Sequence, residues 1–124
     1  MQELINAITK ASKDKSVKVI VIASNGNVFC SGHNLKEINE ARKADDCGKS
    51  YYLELFKTCS SLMQLIVNCT KPVIAEVNGI ATAAGCQLVA SCDLAVSSDS
   101  AKFATPGVNI GLFCSTPTDL GHEK

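Results

Sequence analysis

Two stretches rich in small residues are where this sequence could do chemistry: Phe29-Cys30-Ser31-Gly32-His33-Asn34-Leu35 and Asn78-Gly79-Ile80-Ala81-Thr82-Ala83-Ala84-Gly85-Cys86-Gln87-Leu88. Small side chains let a ligand approach the backbone closely. Free N–H groups at the start of a helix turn the positive end of its dipole toward an anion. Such turns suit an electron-rich oxygen held by main-chain donors. The alternative is structural, two tight turns whose small residues let helix pack on sheet.

Side chains able to move a proton are few. His33 lies inside the first stretch and could act as a base, while the only other histidine, His122, stands in the C-terminal tail. Glu76 precedes the second stretch on a strand and need not face it; Asp93 follows it and is expected to cap or pack. Cys86 and Cys114 are nucleophiles only in principle, because neither has an obvious base beside it and free cysteine commonly packs.

The elements that must position these turns can be read from periodicity. Leu4, Ile5, Ile8 and Ala11 recur at helical spacing, and the charged run Lys13 to Lys15 ends that helix. Val17 to Ala23 is β-branched and nearly continuous in apolar character, which predicts a central strand covered on both faces, followed by a turn over Ser24 to Asn27. Asn34 with Glu37 resembles a capping pair opening a short helix through Arg42, and the polar stretch Lys43 to Lys49 reads as a loop. From Tyr51, Leu55, Cys59, Leu62, Met63, Ile66 and Cys69 mark one apolar stripe of a longer helix that Lys71-Pro72 stops. Val73 to Val77 and Asp93 to Ser97 read as further strands flanking a helix from Ala84 to Ser91. Strand–helix–strand repeats imply an α/β fold with a mostly parallel sheet, in which ligands gather at the carboxyl ends of strands.

Composition narrows the function classes. The 124 residues are 46% apolar with three prolines, as in a globular domain, and twelve basic residues balance twelve acidic ones without any concentrated patch. No electrostatic footprint for nucleic acid or a membrane surface results. Seven cysteines with no C-x-x-C pair argue against zinc and against a disulfide framework, and point to a reducing compartment. No metal or resident cofactor is expected. Residues 1–16 carry charges without a continuous apolar run, so they read as neither signal nor transmembrane segment. Asn68-Cys69-Thr70 matches a glycosylation acceptor formally but reads as a helix end.

Taken together, Phe29 to Leu35, Lys71 to Gly79 with the small-residue helix start after it, and Cys92 to Val96 followed by Ala101-Lys102-Phe103, Pro106 and Gly111 resemble the ordered motifs of the crotonase (enoyl-CoA hydratase/isomerase) family. The resemblance runs over about residues 1 to 117, and the tail from Thr118 to Lys124 departs from it. It implies a ClpP/crotonase-like fold, of which residues 1–124 would be an N-terminal part lacking the family's first strand and its C-terminal half. The ligand implied is an acyl-CoA thioester, within fatty-acid or lipid metabolism. A mitochondrial location follows from the resemblance, with a cytoplasmic one as the alternative, and the full-length protein would be a homotrimer or hexamer.

Carried over residue by residue, the resemblance assigns the backbone amides of His33 and Ala84 to an oxyanion hole on the thioester carbonyl. Cys30, Ser31, Gly32, Ala83 and Gly85 become substrate-contacting positions, with the backbone near Cys30 and Ser31 against the CoA adenine. The family's usual Asp after position 33 is Asn34 here. Hydratases of the family add water with two glutamates, and the matching positions hold Gln87 and Gly107. Gln does not exchange protons at neutral pH and Gly has no side-chain group, so hydratase activity is expected to be absent or very weak. Two readings stay open: an acyl-CoA-binding protein whose chemistry needs only carbonyl polarisation, and a noncatalytic regulatory or interaction protein that kept the fold. The related Clp-type serine peptidases need a serine that Ala83-Ala84-Gly85 does not supply.

Overall fold

Helix α1 (Gln2–Lys13) forms where the spacing predicts, with Ile8 fully buried and Glu3 and Lys10/Lys13 at the ends where the helix dipole favours them. Its last carbonyls are closed from a distance: Lys71 Nζ donates to Ala11 O at 2.6 Å and also to Asp14 O. The structure, a computed structural model, describes residues 1–110. Gly111, Cys114, His122 and the tail 118–124 lie outside the described residues.

Six strands follow, all paired in parallel. β1 (Ile20–Ala23), β3 (Val73–Val77) and β5 (Leu94–Ser97) make one sheet in that order; β2 (Val28–Cys30), β4 (Ile80–Thr82) and β6 (Lys102–Ala104) make a second. The single parallel sheet expected from the sequence is thus two small ones. Each strand of the first sheet is followed directly by a strand of the second, so every winding of the chain adds one strand to each. Helices α2 (Leu35–Ala41) and α3 (Lys49–Val67) join the first winding to the second, α4 (Ala84–Ala90) joins the second to the third, and a 3-10 turn (Pro106–Ile110) follows β6.

The core lies on one face of the first sheet. Ile20, Ile22, Val73, Ala75 and Val77 point inward and meet Ile8 of α1 and Cys59, Leu62, Met63 and Ile66 of α3. β1 is shorter than predicted, and it is not covered on both faces: Val21 is 53% exposed, and on the far side of Ile74 in the same register Leu94 is 62% exposed. Among the described residues helices cover only the inner side, and an uninterrupted β-branched run cannot reveal that. Glu76 points to the outer, exposed face.

The predicted Asn34 cap holds. The Asn34 side chain accepts from Lys36 N at 3.0 Å and donates to Glu37 Oε1 at 2.8 Å, fixing the first turn of α2. α3 begins two residues earlier than read, because Asp46 accepts from Gly48 N and Ser50 N at 2.9 and 2.8 Å and so caps it from within the polar loop. These bonds hold the Asp46 carboxyl below its usual pKa, the Ser50 contacts contributing most. α3 ends at Asn68, the formal glycosylation site. Asp93 neither caps nor merely packs: its Oδ2 accepts from Val73 N and its own N–H donates to Val73 O, both at 2.9 Å, locking β5 to the start of β3.

Candidate functional site

The second sheet positions the two small-residue turns. β2 and β4 lie side by side in parallel, with Val28 opposite Ile80 and Cys30 opposite Ala81, so their carboxyl ends finish together although Gly32 and Ala84 are far apart in sequence. Thr82 Oγ1 donates to Ser31 O at 3.3 Å across the gap. Gly32 adopts φ +87°, and a Cβ built on it would lie 3.3 Å from Ala84 N and 3.2 Å from the Ala83 Cβ. Only glycine supplies both that backbone conformation and that closeness. Gly85 is buried at a tighter approach still, since its Cβ would stand 2.0 Å from Cys30 O.

Ala83 links β4 to α4 with φ 52° and ψ −122°, a region that non-glycine residues rarely occupy. Its own N–H donates to Ala104 O at 3.0 Å, and its carbonyl accepts from Cys86 N and Gln87 N. The strained residue is therefore tied on both sides. Ala84, the first residue of α4, has an N–H with no intrahelical acceptor. Neither that N–H nor the one of His33 has a hydrogen-bond partner among the described residues.

Gly32, His33 and Ala84 form one wall of a cavity of about 300 Å³. The rest of its lining is apolar or weakly polar: Met1 and Leu4 from α1, Ile22 and Ala23 from β1, Phe29 and Cys30 from β2, Cys59, Leu62 and Met63 from α3, and Leu88 from α4. Among the described residues no carboxylate lines it. The His33 ring is half-buried and meets Phe56 edge-on, ring centroids 5.9 Å apart at 84°. Burial pushes the His33 pKa down, which favours neutral imidazole. Phe56 in turn borders an open groove of about 620 Å³ with Asp46, Cys47, Lys49, Tyr52, Leu53 and Lys57.

Of the positions singled out in the sequence, Cys30, Gly32, His33 and Ala84 thus share one cavity. Ser31 is exposed, with its carbonyl engaged by Thr82, and Ala83 and Gly85 build the turn behind the wall rather than lining the cavity. Gln87 is half-buried on α4 and Gly107 half-buried in the 3-10 turn, neither of them in the cavity lining. Cys30, Cys47, Cys59, Cys69 and Cys86 are free thiols; burial, the dominant cause, raises the pKa of both Cys59 and Cys86, keeping these thiols protonated. Among the described residues no group of three or more potential ligands could hold a metal ion, and no helix is long and apolar enough to cross a membrane.

Sequence reasoning missed the aliphatic and thiol wall. Leu62, Met63 and Cys59 were legible as one helix stripe, but a stripe facing solid core and a stripe facing a cavity have the same periodicity. Phe56, off that stripe, gave no signal of its contact with His33.

An apolar cavity with two unengaged main-chain donors on one wall can take an elongated apolar group ending in a polar oxygen. Known proteins share this arrangement of chain. The family model for enoyl-CoA hydratase/isomerase matches residues 1–119. "Enoyl-CoA hydratase domain-containing protein 3, mitochondrial" of Xenopus laevis is 57% identical over 117 residues, which are 94% of this chain and 38% of that protein's length. The crystal structure of the human protein of that name superposes with a TM-score of 0.84 at 53% identity, over 96% of this chain and 45% of that one. An enoyl-CoA hydratase/isomerase family protein from Silicibacter pomeroyi superposes with a TM-score of 0.85 at 45% identity, over 98% of this chain and 50% of that one. This chain therefore spans half or less of the length of these relatives and carries an N-terminal part of their α/β fold. On the match of nearly its whole length, it belongs to the crotonase, or enoyl-CoA hydratase/isomerase, family.

Proposed function

We propose that this chain contributes the thioester-binding part of an acyl-CoA-binding protein, in which the backbone N–H groups of His33 and Ala84 polarise the thioester carbonyl. The observation that carries the reading is the Gly32 approach to Ala84 N, which brings two unpartnered amides to one wall of an apolar cavity. Donors fixed in the backbone need no reorganisation when negative charge develops on the carbonyl oxygen, and one such donor is worth about 3 kcal/mol of transition-state stabilisation. The cavity suits a short acyl chain. The "mitochondrial" in the relatives' names supports that location for the whole protein, and family membership supports a place in lipid metabolism.

Water addition to an enoyl group needs a base and an acid, and Gln87 and Gly107 supply neither. We therefore read the protein as a family member without ordinary hydratase turnover. The test is thermal unfolding of the whole protein with butyryl-CoA. At one hundred times Kd a ligand bound only by the folded state adds about 2.7 kcal/mol, so a rise of several degrees in Tm is expected. No rise at millimolar ligand would favour the noncatalytic interaction protein instead. Crotonyl-CoA hydration by the unmodified protein is expected to stay at background, and robust turnover would sink the claim that the missing carboxylates matter.

A further inference from the structure

The His33 side chain is left unused by the reading above, which employs only its amide. His33 lines the same cavity as Ala84, and its half-buried imidazole packs edge-on against Phe56 with no hydrogen-bond partner among the described residues. Among the described residues the other titratable groups on lining residues are the thiols of Cys30 and Cys59 and the amino group of Met1. A ring anchored on the Cα next to one carbonyl donor is within a side chain's reach of the carbon that bears the polarised oxygen.

We propose that His33 is the proton carrier for hydrolysis of an acyl thioester bound in this cavity. The imidazole takes a proton from a water molecule while the water oxygen bonds to the carbonyl carbon. The carbonyl π electrons move onto the oxygen, where the His33 and Ala84 N–H groups hold the resulting oxyanion. As the carbonyl re-forms, the C–S bond breaks, and the imidazolium returns its proton to the departing sulfur. Water and thioester become a carboxylic acid and free thiol, with nothing oxidised or reduced. The burial that lowers the His33 pKa suits both halves of the cycle, because the neutral ring is present at pH 7 and the imidazolium formed readily gives its proton back. This inference rests on the acyl-CoA reading; it adds a reaction and the residue that performs it.

The experiment follows free CoA thiol released from butyryl-CoA by the whole protein and by His33→Gln, with the butyryl-CoA-induced rise in Tm measured on both. His33→Gln keeps the backbone donor, so butyryl-CoA is expected still to raise its Tm while thiol release falls at least about a hundredfold. The unmodified protein supplies a readout that does not depend on the variant's folding: its rate is expected to climb with pH to a plateau, with a midpoint below about 6.5. Thiol release that is absent from the unmodified protein, equal in the variant, or flat across that pH range overturns the assignment of His33 while ligand-induced stabilisation persists. Loss of that stabilisation in the unmodified protein overturns the binding reading itself, and the inference with it.

Discussion

Ala83 is the residue whose geometry its identity least predicts. At φ 52° and ψ −122° it occupies backbone space that glycine takes freely and alanine only under strain. Ala83→Gly is expected to raise stability by about 1 kcal/mol, read as a higher denaturant midpoint at unchanged slope; an unchanged or lower midpoint would show that Ala83 is not under strain. Glycines at 32 and 85 are legible in the sequence as places of close approach, and the coordinates supply their partners, Ala84 N and Cys30 O. The strain at Ala83 is not legible, because nothing in an alanine announces a positive φ. His33 stands between these cases: its position in the motif was readable, whereas its contact with Phe56 depends on how α3 lies against the turn.

At the scale of elements, long periodic segments read well and short ones did not. β3 is recovered to the residue and α1 and α3 to within a few, because each carries several turns or alternations of pattern. β2, β4 and β6 have three residues apiece, too few for a period of two to establish itself, and all three went unread as strands. Yet β2 and β4 align the turns, so the least legible elements position the most legible motifs. Lys71 has a similar hidden role: read only as a helix stop, it reaches back to close α1 at Ala11 and Asp14. Lys71→Met, which keeps the apolar stem, is expected to cost about 1 kcal/mol. Hydrogen exchange should speed selectively in the last turn of α1, and unchanged protection there would reduce the bonds to surface decoration.

For the molecule as a whole, the first sheet presents Val21, Leu94 and Val96 together on its uncovered face, the last at 63% exposure. An apolar patch of this kind, open on one face of a small sheet, favours association with other apolar surface. Residues 1–124 expressed alone are expected to unfold broadly and to scatter light increasingly with concentration; a sharp, concentration-independent unfolding of a monomer would contradict this. The winding described above also bears on biosynthesis. Of the strands made before it, β3 pairs with β1 and β5 with β3; in the second sheet β4 pairs with β2 and β6 with β4. Each strand after the first winding therefore finds its partner already made, so the nascent chain can lay down its later rungs in the order the ribosome delivers them.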